Sequence, residues 1–312
     1  MKKLYLVVPC YNEELVLKET NLRLGVLLHS MIESETISES SRIVYIDDGS
    51  IDNTWELIKS FNVNDSLIQG IKLSRNKGHQ NALLAGLFES AIEADIVISL
   101  DADLQDDIEI IPEMVKEHEK GNDIVYAVRN NRDSDSMFKR ASAELFYKSM
   151  KFLGVDLVFN HADYRLLSKR VIKELELYPE KNLFLRGLIP TLGFPSTKVY
   201  YRRNHRFAGE TKYPLKKMIS FALEGITSFS NKPLKIISMI GMALFTISIG
   251  IIFYTLFRYF TNQTVTGWAF LNISIWLLSG IQLLALGIVG EYISKIYIES
   301  KNRPRYHIQE KT

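Results

Sequence analysis

Two stretches of this chain limit its possible folds more than any other feature. Ile236 to Phe257 and Trp268 to Gly290 each run for more than twenty residues without a charged side chain. As helices rising 1.5 Å per residue, each would be about 33 Å long, enough to cross a hydrocarbon core of about 30 Å. Helices inside a soluble core usually keep a polar stripe, and these have none. The connector Tyr259 to Gly267 is short and carries no charge, so the pair reads as a hairpin. Lys212, Lys216, Lys217, Lys232 and Lys235 precede it, and Lys295, Lys301, Arg303 and Arg305 follow it, with Arg258 alone on the far side. Positive charge gathers on the cytoplasmic side of a membrane, so both ends of the chain are expected in the cytoplasm of a multi-pass cell-membrane protein.

The remaining residues alternate between strand and helix patterns. Leu4 to Val8 reads as a first strand, too short and too soon interrupted by Pro9 for a signal peptide. Tyr11-Asn12-Glu13-Glu14 is expected to open a helix with Leu15, Leu22 and Val26 among its apolar positions. A polar link, Ser30 to Ser41, leads to strand Ile43–Ile46, followed by Asp47-Asp48-Gly49-Ser50 and the capping residues Asp52-Asn53-Thr54. Gly70–Leu73 is a third strand, and Arg75-Asn76-Lys77-Gly78 turns into a helix carrying Leu83, Leu84, Leu87 and Phe88. Strands and helices alternating in this way indicate an α/β fold with a mostly parallel, Rossmann-like sheet. A net charge of +2 provides no field for nucleic acid, and the single cysteine, Cys10, excludes an internal disulfide.

A fourth strand, Val97–Leu100, ends abruptly in Asp101-Ala102-Asp103-Leu104-Gln105-Asp106. Ligands of open α/β sheets collect beyond the carboxyl ends of the strands. Asp101 and Asp103 lie there two residues apart, with side chains directed roughly the same way. Two such carboxylates repel unless a cation joins them, and Mg²⁺ or Mn²⁺, completed by substrate phosphate and water, suits the pair. Asp48 at the end of the second strand is expected to meet a uracil ring or a ribose hydroxyl, with Glu13 nearby. Three strands thus bring acidic or polar groups to one edge, as a nucleoside-diphosphate sugar would require.

Taken together, Pro9-Cys10-Tyr11-Asn12-Glu13-Glu14, Asp47-Asp48-Gly49-Ser50, Arg75-Asn76-x-Gly78-His79-Gln80 and Asp101-Ala102-Asp103-Leu104-Gln105-Asp106 resemble the family 2 glycosyltransferases. The nearest branch is that of the dolichol-phosphate mannose synthases and bacterial polyprenyl-phosphate glycosyltransferases. Asp163-Tyr164-Arg165-Leu166, Phe184-Leu185-Arg186-Gly187 and Gly209-Glu210-Thr211-Lys212-Tyr213 fit as well, so the likeness covers nearly the whole chain. Asp107 departs from the pattern, where many relatives have proline. The resemblance implies a GT-A domain over residues 1–213; the residue pattern adds a helix over 214–233, either amphipathic in the headgroup plane or packed on the sheet, membrane helices at about 234–258 and 267–291, and a cytosolic tail over 294–312. The resemblance also implies a UDP-sugar donor, a divalent metal, and a polyprenyl (undecaprenyl) phosphate acceptor used with inversion. The product's destination, cell-wall decoration among others, is not encoded in these motifs.

Carried onto this sequence, the resemblance assigns Pro9, Tyr11, Glu13, Asp48, Lys77, Asp101, Ala102 and Asp103 to the nucleotide sugar. Asp101 and Asp103 are also the metal ligands, with Gln105 as an additional candidate. Asp163 is the candidate base or acceptor-orienting group, with structural pairing to Arg165 as the competing role. A phosphate acceptor calls for fixed cations, and Arg129, Arg140, Arg203, Arg206 and Lys212 are the candidates. His79 either faces the donor or serves as a structural hydrogen-bonder. Small residues Gly241, Gly250, Gly280, Gly287 and Gly290 allow close packing between hairpins of a homo-oligomer. A diacylglycerol-type glycosyltransferase and a non-catalytic nucleotide-sugar-binding membrane partner remain open. A processive synthase would need a Gln-x-x-Arg-Trp motif, which is absent.

Overall fold

The computed structural model describes residues 1–130, 161–202, 230, 232–261 and 267–312. Arg140, Arg203, Arg206, Lys212 and nearly all of the expected 214–233 helix lie outside these residues. Eight strands form one sheet: β1 Leu4–Cys10, β2 Arg42–Asp47, β3 Ile68–Leu73, β4 Ile96–Ser99, β5 Ile124–Arg129, β6 His161–Ser168, β7 Ser196–Tyr201 and β8 Ile308–Lys311. Their order across the sheet is β7-β5-β6-β4-β1-β2-β3-β8. β1, β2, β3 and β4 run parallel, while β6 lies antiparallel between β4 and β5. The chain moves outward from β1 through β2 to β3, then returns to place β4 on the other side of β1. That reversal opens a crevice beyond the carboxyl ends of β1 and β4.

The central strands are buried on both faces, which is why they read as unbroken apolar runs rather than alternating ones. One face is covered by α1 (Leu17–Glu33), α2 (Thr54–Asn64) and α4 (Ile111–Glu119), and the other by α3 (His79–Ala91), α5 (Lys169–Glu176) and α6 (Leu185–Thr191). α3 lies so close to the sheet that a Cβ on Gly86 would come within 2.3 Å of Val7 and 2.9 Å of Ile46.

α1 differs from the sequence expectation in both start and face. It begins at Leu17, because residues 11–14 are tied to the loop after β2. Asn12 N–H donates to Ser50 Oγ, Glu13 N–H to Thr54 Oγ1 and Glu14 N–H to Asp52. Asn12 itself sits at φ +54°, a left-handed turn that no helix continues through. Leu15, Leu22 and Val26 face solvent, and Leu17, Leu24, Leu28 and Met31 form the buried stripe. The helix also runs to Glu33, into the expected polar link.

Helices α7 (Lys232–Phe260) and α8 (Trp268–Ser300) form the hairpin, and both are long and apolar enough to cross a membrane. Met239, Met242, Phe253, Phe257, Leu283, Leu284 and Leu286 are exposed, an apolar surface of the kind that meets a membrane or a protein partner. α8 extends beyond the expected end of its span near residue 291, up to Ser300. The tail then returns to the sheet. β8 pairs antiparallel with β3, Trp55 Nε1 donates to Glu310 at 3.1 Å, and Gly70 N–H donates to Thr312 Oγ1 at 2.8 Å. The segment expected as a cytosolic tail over 294–312 therefore contributes a strand to the sheet.

The buried stripe of α1 yields a direct contrast. Leu24→Ala should cost about 2–5 kcal/mol of stability, whereas Leu22→Ala should stay within about 0.5 kcal/mol. Unfolding midpoints of the two variants in one detergent would test this, and equal losses would contradict the face assigned here.

Candidate active site

The crevice is lined by segments that hold one another in place. Pro9 is buried within β1, and Tyr11, 41% exposed, projects just beyond it. Asp48 is almost fully buried, and its two carboxylate oxygens accept the N–H groups of Lys77 (2.7 Å) and Gly78 (2.9 Å). Burial raises the Asp48 pKa, and those two N–H bonds partly offset the rise. Within the chain, the Asp48 carboxylate thus fixes the Lys77–Gly78 turn at the edge of the crevice. Gly49, at φ +68°, lets that turn close, since a Cβ there would sit 2.6 Å from the backbone of Arg75 and Asn76.

Asp101, Ala102 and Asp103 follow β4 at the mouth of the crevice. Thr20 Oγ1 of α1 donates to Ala102 O at 2.7 Å, and Gln105 N–H donates to Asp103 at 3.2 Å. Leu104 is buried at φ +55°, a conformation costly for a branched residue, and its surroundings keep the acidic loop in that shape. Partial withdrawal from water, opposed by His79 and reinforced by Asp106, Asp163 and Asp103, pushes the pKa of Asp101 up to about 6. Aspartate and glutamine oxygens are hard donors of the type Mg²⁺ and Mn²⁺ take. Among the described residues no group of three or more His, Cys, Asp or Glu converges as a closed metal site. A two-carboxylate edge that leaves positions for phosphate oxygens fits a cation shared with a nucleotide.

The other carboxylates here have cationic partners. Arg129, expected to meet the acceptor, donates to Asp106 (3.0 Å) and to Tyr201 Oη (3.0 Å), and the Tyr201 hydroxyl also donates to Asp106. Asp163 enters from the antiparallel strand β6, on the same face as α3. It accepts from the buried Arg165, and from Arg186 Nη2 at 2.9 Å. His79 Nε2, on the first turn of α3, stands 3.5 Å from Asp163 and 3.7 Å from Asp101. Burial disfavours the Asp163 anion, yet Arg186, the His79 hydrogen bond and Arg165 outweigh it and hold the carboxyl well below the usual range. Burial likewise opposes the His79 imidazolium, but Asp163 and Asp101 raise its pKa.

Arg186 and Gln80 lie in segments named from sequence without a role. Their placement depends on β6 crossing beside β4, a long-range pairing that local patterns do not reveal. The only sequence signal was their position in the Phe184–Gly187 and Gly78–Gln80 blocks.

Because the folded-state pKa of Asp163 is depressed, its stabilising contribution is present above about pH 4 and is lost as pH falls through the folded value. Asp163→Asn, which leaves Arg165 buried without its carboxylate, should cost about 3–5 kcal/mol at pH 7. The gap from the parent should narrow below pH 4. A gap independent of pH between 7 and 3 would refute this assignment.

Residues 5–176 match the model of Glycosyl transferase family 2, and residues 232–296 match the GtrB C-terminal hairpin. An uncharacterised glycosyltransferase of Bacillus subtilis (strain 168), YkoT, is 49% identical over 98% of this chain and 90% of its own length. A prophage bactoprenol glucosyl transferase homolog of Escherichia coli (strain K12) is 38% identical over 98% of each chain. Among solved structures, glucosyl-3-phosphoglycerate synthase from Mycobacterium tuberculosis, in complex with Mn²⁺, UDP and phosphoglyceric acid, is similar at 17% identity and a TM-score of 0.45. It covers 72% of this chain and 76% of that one. A family model that spans more than half of the 312 residues, joined to a hairpin model over the apolar helices, shows that the chain belongs to glycosyl transferase family 2 and is a GT-A glycosyltransferase.

Proposed function

We propose that this enzyme moves glucose or N-acetylglucosamine from a UDP-sugar to undecaprenyl phosphate at the cytoplasmic face of the cell membrane. The observation that carries the reading is the union, in one chain, of the acidic crevice with a hairpin of the GtrB type. Relatives named bactoprenol glucosyl transferase, which align along 98% of the chain, support the same acceptor. The lysine and arginine residues flanking the hairpin support a cytoplasmic catalytic domain, and the hairpin glycines support association between copies.

In this reading Asp101 and Asp103, with Gln105, hold Mg²⁺ or Mn²⁺ against the donor diphosphate, while Pro9, Tyr11, Glu13, Lys77 and Ala102 line the nucleotide's place. Asp48 shapes that place through the turn it fixes. The bound metal supplies Lewis-acid neutralisation of the departing diphosphate. The acceptor is a phosphate monoester with a second pKa of about 6, already a nucleophilic dianion near neutral pH. Its oxygen forms the new bond to the anomeric carbon as the carbon–oxygen bond to UDP breaks on the opposite side, which inverts the configuration. No proton has to be removed from the acceptor, so the depressed pKa of Asp163 is no handicap. That residue is assigned to orient His79 and Arg186. Bringing a dianion to an anionic donor needs fixed cations, and Arg129, Arg140, Arg203, Arg206 and Lys212 are assigned to that task.

Purified full-length enzyme with Mn²⁺ or Mg²⁺, labelled UDP-glucose or UDP-N-acetylglucosamine and undecaprenyl phosphate should yield a lipid-linked sugar. Asp103→Asn should lower turnover at least about 100-fold with the fold retained, and chelation should abolish activity until metal is restored. Absence of product with every common nucleotide sugar, or full activity of Asp103→Asn, would defeat the proposal.

A further inference from the structure

A continuous series of contacts joins the membrane helix α8 to the acidic crevice. Glu299, in its last turn, accepts the N–H of Lys181 on both carboxylate oxygens, at 2.7 and 2.9 Å. It also accepts the N–H and side-chain Nδ2 of Asn182, at 2.8 and 2.7 Å. Hydrogen bonds to an ionised acceptor are roughly twice as strong as neutral ones, so a carboxylate gripping two consecutive residues is a firm tether. Arg305, just beyond α8, secures the preceding residues by donating to the carbonyls of Tyr178 and Glu180. The segment 178–182 is thus held at both ends by the helix that leaves the membrane and by the residues after it.

That segment leads directly into α6, whose first turn touches the site twice. Leu185 N–H donates to Gln80 Oε1 at 2.9 Å, beside His79 on α3. Arg186 is the next residue, with its guanidinium on Asp163. From Glu299 to the His79–Asp163 pair the path runs through hydrogen bonds, the two residues Leu183 and Phe184, and one short helix.

We propose that Glu299 is a positioning residue: through Lys181 and Asn182 it sets α6, and so fixes Arg186 and His79 against Asp163 and Asp101. The hairpin then serves the chemistry as well as anchoring the domain. The kinetic part rests on the transfer activity proposed above, whereas the structural part does not.

Hydrogen exchange on the full-length chain in nanodiscs tests the structural part. Glu299→Ala and the milder Glu299→Gln, which turns one acceptor into a donor facing Lys181 N–H, should raise amide exchange about tenfold at residues 181–188. They should also raise it in the first turn of α3, residues 79–82. Lys301→Ala, at the exposed end of the same helix, should change neither region. Exchange that rises only at 181–182, or nowhere, overturns the inference. Turnover per folded molecule should fall about tenfold in kcat, with donor KM moving less than threefold. A tether with no positioning role would lower the unfolding midpoint and leave kcat intact, and that result also overturns it. Absence of transfer by the parent enzyme would count against the proposed function, and the exchange result would still decide the role of Glu299.

Discussion

The crevice depends on balancing like charges. Asp101, Asp103 and Asp106 come from the loop after β4 and Asp163 from strand β6, and the four gather near the end of β4. Isolated carboxylates so close together would shift their pKa values upward and accept protons. The structure prevents this selectively. Asp106 is matched by Arg129, and Asp163 by Arg165 and Arg186, each with at least one buried partner. Asp101 faces His79 at 3.7 Å, and its pKa remains displaced upward, so negative potential gathers at this end of β4.

Backbone geometry supports the same arrangement. Leu104 in the left-handed region, the Thr20 hydroxyl on Ala102 O, and the Asp48 carboxylate on the 77–78 turn each hold a loop that would not adopt its shape alone. These contacts limit how far the acidic loop can relax, the kind of pre-organisation that lets a site act on charged groups.

Much of this was legible in the sequence. The parallel strands appear as apolar runs because both faces of the sheet are covered, and the acidic endings of β2 and β4 mark the crevice edge. The hairpin is legible because lipid removes any need for a polar stripe. Elsewhere the deciding contacts are distant in sequence. The apolar positions of α1 fit two helical faces, and tying residues 11–14 to the loop after β2 chose the one with Leu24 over the one with Leu22. The pairing of Asp163 arises only when β6 runs antiparallel beside β4, and the tail becomes β8 only because β3 offers an open edge. Glu299 resembles any glutamate at the end of a helix until the loop at 181–182 is placed against it.

The return of residues 308–311 to β3 also sets an order of assembly. During synthesis both apolar helices emerge before the strand that completes the sheet. The outer β3 edge therefore stays without its β8 partner, with open N–H and C=O groups, until residues 308–311 have been made. A chain that failed to insert would hold this adhesive edge beside two uncovered greasy helices. The last few residues thus work as a latch, closing the sheet only after the membrane segment has been made.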